Sequence, residues 1–140
     1  MRNYAVTIQT DFSLMNLDLI HDYLSNQSYW SKGRSKADVE KSMRNSLCFG
    51  AFTNENGQIG FARVATDYVV FGWIMDVFVV PGFQGQGVGK QLMEAIVQHP
   101  SLTKINGLGL RTNDAHTLYQ KFGFGPIPDV NTWMFKSMQS

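Results

Sequence analysis

Apolar and polar residues alternate through residues 3–10, NYAVTIQT, which predicts an opening strand with Tyr4, Val6 and Ile8 on one face. Ser13 can cap a helix over 14–25, where Leu14, Leu17, Leu19, Ile20 and Leu24 recur near helical spacing until Asn26 to Gly33 break the pattern. A second helix can start at Ser35 or Asp38. Two apolar runs, 47–53 and 58–66, flank Asn54-Glu55-Asn56-Gly57, whose Asn-Gly pair favours a tight turn between antiparallel strands. The run VVFGWIMDVFVV at 69–80 is the most hydrophobic and stops at Pro81, so it is the expected central strand. A helix over 87–98, a strand at 105–111, a short helix capped by Asn113 or Asp114 and ended by Gly123, and a last strand at 131–137 complete the pattern. The order β-αα-βββ-α-β-α-β, without repeats or linkers, predicts a single mixed α/β domain over residues 1–140.

Composition narrows what such a domain can do. The chain has 140 residues, 44% of them apolar, which suits one core and excludes disorder. Its 12 Lys and Arg nearly balance 11 Asp and Glu, and no basic stripe offers a nucleic-acid backbone a partner. No stretch approaches a membrane span, and the first residues lack the apolar core of a signal peptide, so neither membrane nor export is expected. The single Cys48 lies in LCFGAF as a small buried hydrophobe that cannot form an intramolecular disulfide, which fits a cytoplasmic address. No metal-ligand spacing occurs. Composition leaves a homodimer open and does not set the oligomeric state.

The chemistry concentrates in Gln84-Gly85-Gln86-Gly87-Val88-Gly89, between the central strand and the following helix. Glycines there leave backbone N–H groups open to close approach, and a helix N-terminus favours an anion such as phosphate. Two common phosphate loops do not fit. A P-loop needs Gly at position 84 and Ser or Thr after Lys90, but Gln84 and Gln91 stand there; the glycine spacing also misses the dinucleotide fingerprint.

The segment Val79-Val80-Pro81-Gly82-Phe83-Gln84-Gly85-Gln86-Gly87-Val88-Gly89 resembles motif A of the GNAT superfamily of N-acetyltransferases, V-x-P-x-x-Q/R-x-x-G-x-G/A. Farther on, Leu118-Tyr119-Gln120-Lys121-Phe122-Gly123-Phe124 is similar to the family's L-Y-x-x-x-G-F. The resemblance is firm over 74–124 and looser before it. It implies acetyl-coenzyme A as cosubstrate, a cleft where the strand at 74–80 splays from that at 105–111, and a small-molecule or peptide amine as acceptor. It also implies that backbone groups of Val77, Phe78 and Val79 pair with the pantetheine arm, that Gln84, Gly85, Gln86, Gly87, Val88 and Gly89 hold the pyrophosphate, and that Val77 and Val79 amides are the oxyanion donors to look for.

Within that resemblance Tyr119 matches the tyrosine that protonates the departing thiolate, a task suited to a phenol whose pKa near 10 keeps its proton at neutral pH. Packing with Leu118 and Phe122 is its plainer role. Asn113 falls one residue closer to Tyr119 than the corresponding asparagine of many relatives, so cofactor contact competes with a cap or turn. Some relatives carry a glutamate base where Gly109 stands here. Asp76, the one acid in the central apolar run, is then the candidate base or amine-binding group; strand alternation places it with Ile74, Phe78 and Val80, opposite Val77 and Val79. It enters the acceptor side of the cleft or faces a buried partner. His116, one turn before Tyr119, is a further candidate for the cleft, whereas His21 and His99 join no cluster. Trp30 and Arg34, in the loop between the first two helices, are the candidate acceptor-binding residues through cation–π and acidic-group contacts. A coenzyme A-binding module without turnover and an interaction protein sharing only the fold are the competing classes.

Overall fold

The computed structural model describes residues 5–139, so the expected role of Tyr4 lies outside the described residues. Five strands form one sheet in sequential order: β1 (Thr7–Gln9), β2 (Leu47–Thr53), β3 (Gly57–Thr66), β4 (Phe71–Val79) and β5 (Gly107–Gly109). Neighbours are antiparallel except β4 and β5, which run parallel around the crossover helix α3 (Val88–Gln98). The Asn56-Gly57 turn expected from sequence joins β2 to β3, with Gly57 at φ +67°.

Helix α3 forms because Val88, Leu92, Met93 and Ile96 share one buried stripe. That stripe covers one sheet face, against Phe49, Ile59, Ala62, Val64 and Ile74. On the other face lie α1 (Leu17–Asp22) and α2 (Lys36–Arg44), whose Ile20, Val39 and Met43 pack with Leu24, Phe61 and Phe78. Ser35 caps α2 by accepting the Asp38 amide at 3.1 Å. The first helix is shorter than expected from sequence: Asn16, not Ser13, caps it, and a wide π turn over Tyr23–Gln27 follows. The loop after that turn is tied back to it, because Ser28 and Ser31 hydroxyls both donate to the Leu24 carbonyl, at 2.6 and 2.9 Å.

Two irregularities of β4 make the site. Phe61 pairs with Phe78 and Arg63 with Met75, so Ala62 alone opposes both Asp76 and Val77. This is a β-bulge, and Asp76 takes the left-handed φ of +56°. The bulge reverses the alternation expected from sequence: Ile74, Val77 and Val79 face the α3 core, while Phe78 and Val80 face the α1/α2 core. Asp76 therefore does not share a face with Ile74. The second irregularity is that pairing with β5 ends at Trp73 and Gly109, so β4 continues from Ile74 to Val79 with no strand on that side.

The C-terminal part departs most from expectation. The strand expected at 105–111 pairs only over Gly107–Gly109, and the last strand expected at 131–137 does not form. A short 3-10 turn, Val130–Thr132, stands there, followed by chain without regular structure. The apolar run Trp133-Met134-Phe135 is present, but no edge among the described residues pairs with it.

Candidate active site

Alternation fixes which β4 amides are free. Val80 N–H donates to the Ile59 carbonyl on β3 at 2.8 Å, so the amides of Val79 and Val77 point the other way, into the opening left by β5. The same alternation turns the Phe78 amide to β3. Its side chain is buried, stacked on Tyr23 with centroids 4.1 Å apart, so of the three residues expected to meet a cofactor two face the opening.

The glycine loop lies at the end of this opening. Gly82, Gly85 and Gly87 have φ of +97°, +77° and +85°, and a Cβ at any of them would meet nothing within 4 Å. Among the described residues no acceptor takes the amides of Gly87 to Lys90, and α3 begins without a side-chain cap. The loop is thus a bank of exposed donors at a helix N-terminus, which is what an anion requires. Gln84 fastens it to the strand by donating from Nε2 to the Val79 carbonyl at 2.8 Å. Gln86 likewise donates from its side-chain Nε2 to the Gly82 carbonyl at 3.2 Å.

On the other side of β4 stands a charged cluster. Arg63 Nε and Arg34 Nη1 donate to one carboxylate oxygen of Asp76 at 2.6 and 2.7 Å, and Trp30 Nε1 to the other at 3.0 Å. Arg63 also reaches the Ser46 hydroxyl at 3.1 Å. Burial alone would raise the Asp76 carboxyl, but the charges and hydrogen bonds of Arg63 and Arg34 outweigh it and hold it below its ordinary range. Asp76 is therefore ionised and fully engaged.

Between these sides opens a cleft of about 400 Å³ lined by Tyr29, Trp30, Trp73, Asp76, Val77, Arg111, Asn113 and Tyr119, among others. A larger cavity of about 1080 Å³ lies alongside, and Trp73, Asn113 and Tyr119 border both. Tyr119 is buried in the short helix α4 (His116–Gln120), with its ring edge-on to Phe124 at 6.2 Å. Burial, then the charges of Asp114 and Tyr29, push its phenol above the ordinary value, so it is protonated at neutral pH. Gly123 has φ +91°, as a residue just past a helix should. Thr112 rather than Asn113 or Asp114 steadies the start of α4, its hydroxyl accepting the Ala115 amide at 3.0 Å.

The structure thus gathers Tyr119, Asp76, Val77, Asn113 and Trp30 around one cleft, with Arg34 attached through Asp76. Residues 84–89 stand outside that cleft, and His116 borders only the larger cavity. Where Gly109 stands, a Cβ would come within 2.6 Å of the Trp73 ring, which leaves no room for an acidic side chain unless that ring moves. Sequence reasoning missed Arg63. The available signal was an arginine inside the apolar run GFARVA, one strand away from an acid inside another apolar run.

Comparison with known proteins agrees with this geometry. Residues 44–126 match the family model described as an acetyltransferase (GNAT) domain. A Gibberella zeae protein assigned as an acetyltransferase is 30% identical over 138 residues, covering 83% of this chain and 77% of its own. The N-acetyltransferase ycf52 of Gracilaria tenuistipitata var. liui, itself uncharacterized, is 33% identical over 101 residues; the match takes 71% of this chain and 56% of that one. A crystal structure from Xanthomonas campestris pv. campestris, of a protein assigned to the GNAT acetyltransferases, superposes with a TM-score of 0.91 at 40% identity, covering 95% of this chain and 93% of that one.

Proposed function

We propose, for a chain that belongs to the GNAT family of N-acetyltransferases, that it moves an acetyl group from acetyl-coenzyme A directly to a primary amine, with Tyr119 as general acid. The observation that carries this reading is the cleft shared by Val77 and Tyr119, which opens beside the stretch of β4 that β5 leaves unpaired, the stretch that runs on into the glycine loop and the start of α3.

Acetyl-coenzyme A supplies the activated acyl thioester; the rest is done by this chain. The amides of Gln84 to Gly89 hold the pyrophosphate at the N-terminus of α3, and open space around Gly85 and Gly87 admits it. The Val77 amide lines the cleft and stabilises negative charge on the thioester oxygen, with Val79 aiding the arm beyond it. Asn113 borders both cavities and orients the bound arm from the α4 side. Tyr119 donates its proton to the departing sulfur; its raised pKa keeps that proton available across the physiological range.

The amine enters past Tyr29 and Trp30. Asp76 is assigned a positioning role rather than that of the base considered from sequence. Two arginines already occupy its carboxylate, and its lowered pKa makes it a poor proton acceptor. It holds Trp30 and Arg34 at the acceptor side of the cleft. Removal of the amine proton then falls to water in the open cleft, so kcat/KM should rise with pH toward the pKa of the amine, ~10.4 for a lysine-like group.

The test is thiol release from acetyl-coenzyme A across a panel of small amines and peptides, each run with wild type and Tyr119→Phe. Turnover that depends on an amine and on Tyr119 supports the reading. Binding without turnover for every amine would leave a coenzyme A-binding module.

A further inference from the structure

The acceptor half of the cleft holds a carboxylate that the protein leaves unpaired. Tyr29, Trp30, Asp76 and Asp114 line the cleft of about 400 Å³ and none of them borders the larger cavity, so they face the amine rather than the cofactor arm. Asp76 is buried and taken by Arg63, Arg34 and Trp30. Asp114 is exposed, and its carboxylate has no hydrogen bond or ion pair among the described residues. After burial, Asp114 and Tyr29 are what raise the Tyr119 phenol, which places all three around one small space.

The aromatic residues of this half are fixed, yet they keep open surface. Trp30 gives its indole N–H to Asp76 at 3.0 Å, and Tyr29 meets the Trp30 ring edge-on at 5.2 Å and 89°. Tyr29 and Trp30 nevertheless stay 62 and 42% exposed. Two accessible rings and an unpaired carboxylate in one cleft favour a cation. That cation is not the nitrogen that reacts. A nitrogen must be unprotonated to attack, and a site that stabilises its ammonium form raises its pKa and slows the attack. Attraction for positive charge therefore assists transfer only when the reaction leaves that charge in place.

We propose, on the reading that this cleft performs acetyl transfer, that the acceptor is a small primary amine with a second, non-reacting cationic nitrogen, held by Asp114 and the Tyr29–Trp30 pair. An acceptor with a carboxylate in that place is disfavoured. Arg111 also lines the cleft, but like Tyr119 and Asn113 it borders both cavities, so it stands on the wall assigned to the cofactor arm.

Three acceptors with one spacer length test this. Dimethylaminopropylamine has one acylatable amine and one protonated tertiary nitrogen; isohexylamine replaces that nitrogen by carbon; γ-aminobutyrate puts a carboxylate there. Wild-type kcat/KM should be about tenfold higher for dimethylaminopropylamine than for isohexylamine, the combined scale of a cation–π contact and a screened ion pair, and lowest for γ-aminobutyrate. Asp114→Asn, at an exposed position without an ion pair, should narrow the first ratio about fivefold. Taking the ratio removes the effect of the lost charge on Tyr119, which is common to both amines. Tyr29→Leu should narrow it about threefold. Equal kcat/KM for the charged and uncharged amines, a ratio that Asp114→Asn leaves unchanged, or a preference for γ-aminobutyrate would each overturn the proposal while leaving acetyl transfer intact. Failure of the wider reading shows separately, as no amine acetylated by the wild type. The cation site is then read by calorimetric titration with tetramethylpropanediamine, which has no primary amine to acylate. Affinity that Asp114→Asn lowers about fivefold supports the site, and no binding, or binding that the variant leaves unchanged, overturns it.

Discussion

The two sides of the cleft are built from different parts of the polypeptide. The loop at 82–89 offers main-chain amides, uses glycines to expose them, and draws all its residues from one short stretch. The acceptor side offers side chains: Trp30, Arg34, Arg63 and Asp76 come from a loop and two strands and are locked together by three charge-assisted bonds. The first keeps the amides of Gly87 to Lys90 without an acceptor among the described residues. The second has spent its charges on itself and works as a frame. Unsatisfied groups mark where binding happens, whereas satisfied buried charges mark what holds the shape.

Tyr119 stands where the two sides meet, and its loss should have the largest effect. Tyr119→Phe should lower kcat by ~10²–10⁴ while leaving the calorimetric affinity for acetyl-coenzyme A unchanged. Turnover within a few-fold of wild type would assign the residue to packing.

Asp76→Asn tests whether the acceptor side is a frame. It strands Arg63 in the sheet and should cost about 3 kcal/mol in urea unfolding, the low end for breaking a buried pair because Arg34 is partly exposed. Turnover per folded molecule should change far less. The folded pKa of Asp76 lies below its ordinary value of 3.8, so its contribution is present above that pH and lost as pH falls through the folded value. Urea melts of the variant should therefore lack part of the acid sensitivity of the wild type. If instead the variant folds normally and loses turnover that high pH restores, Asp76 is the base and the contrast between the two sides fails.

Gly87→Glu addresses the other side. A carboxylate placed among the loop amides should weaken acetyl-coenzyme A binding by about a hundredfold through like charge and bulk. The φ of +85° adds a folding cost of about 1–2 kcal/mol. Gly87→Ala carries the same strain without the charge and separates the two. Equal affinity for all three proteins would remove the loop from the binding site.

Arg34→Ala should have the smallest effect, about 1 kcal/mol in thermal or urea unfolding, since its side chain is a quarter exposed and Arg63 still pairs with Asp76. A larger shift in KM for acidic acceptors than for neutral ones would show that Arg34 also meets substrate.

The loop and Tyr119 were readable because each is a local pattern: glycine spacing before an amphipathic helix, and a tyrosine four residues ahead of Gly123. The three strands from 47 to 79, both long helices and the Asn-Gly turn were readable for the same reason. What failed was parity. Alternation placed Asp76 with Ile74, but a residue that repeats the period of two gives no sign of an inserted bulge. The partners of Asp76 were equally hidden, since Arg34 and Arg63 lie 42 and 13 residues away along the chain.

Sequence by itself therefore determined the family and singled out the glycine loop and Tyr119 as candidates, because glycine conformation, helix periodicity and motif spacing act between near neighbours. Tertiary structure decided the rest: where β4 leaves β5, which amides that departure frees, how Asp76 is neutralised, and that Trp73 takes the space beside Gly109. It also decided that 133–139 finds no partner strand among the described residues. Those outcomes depend on which distant segments meet and in what register. A strand's own pattern states that it can pair, and only the assembled sheet states with what.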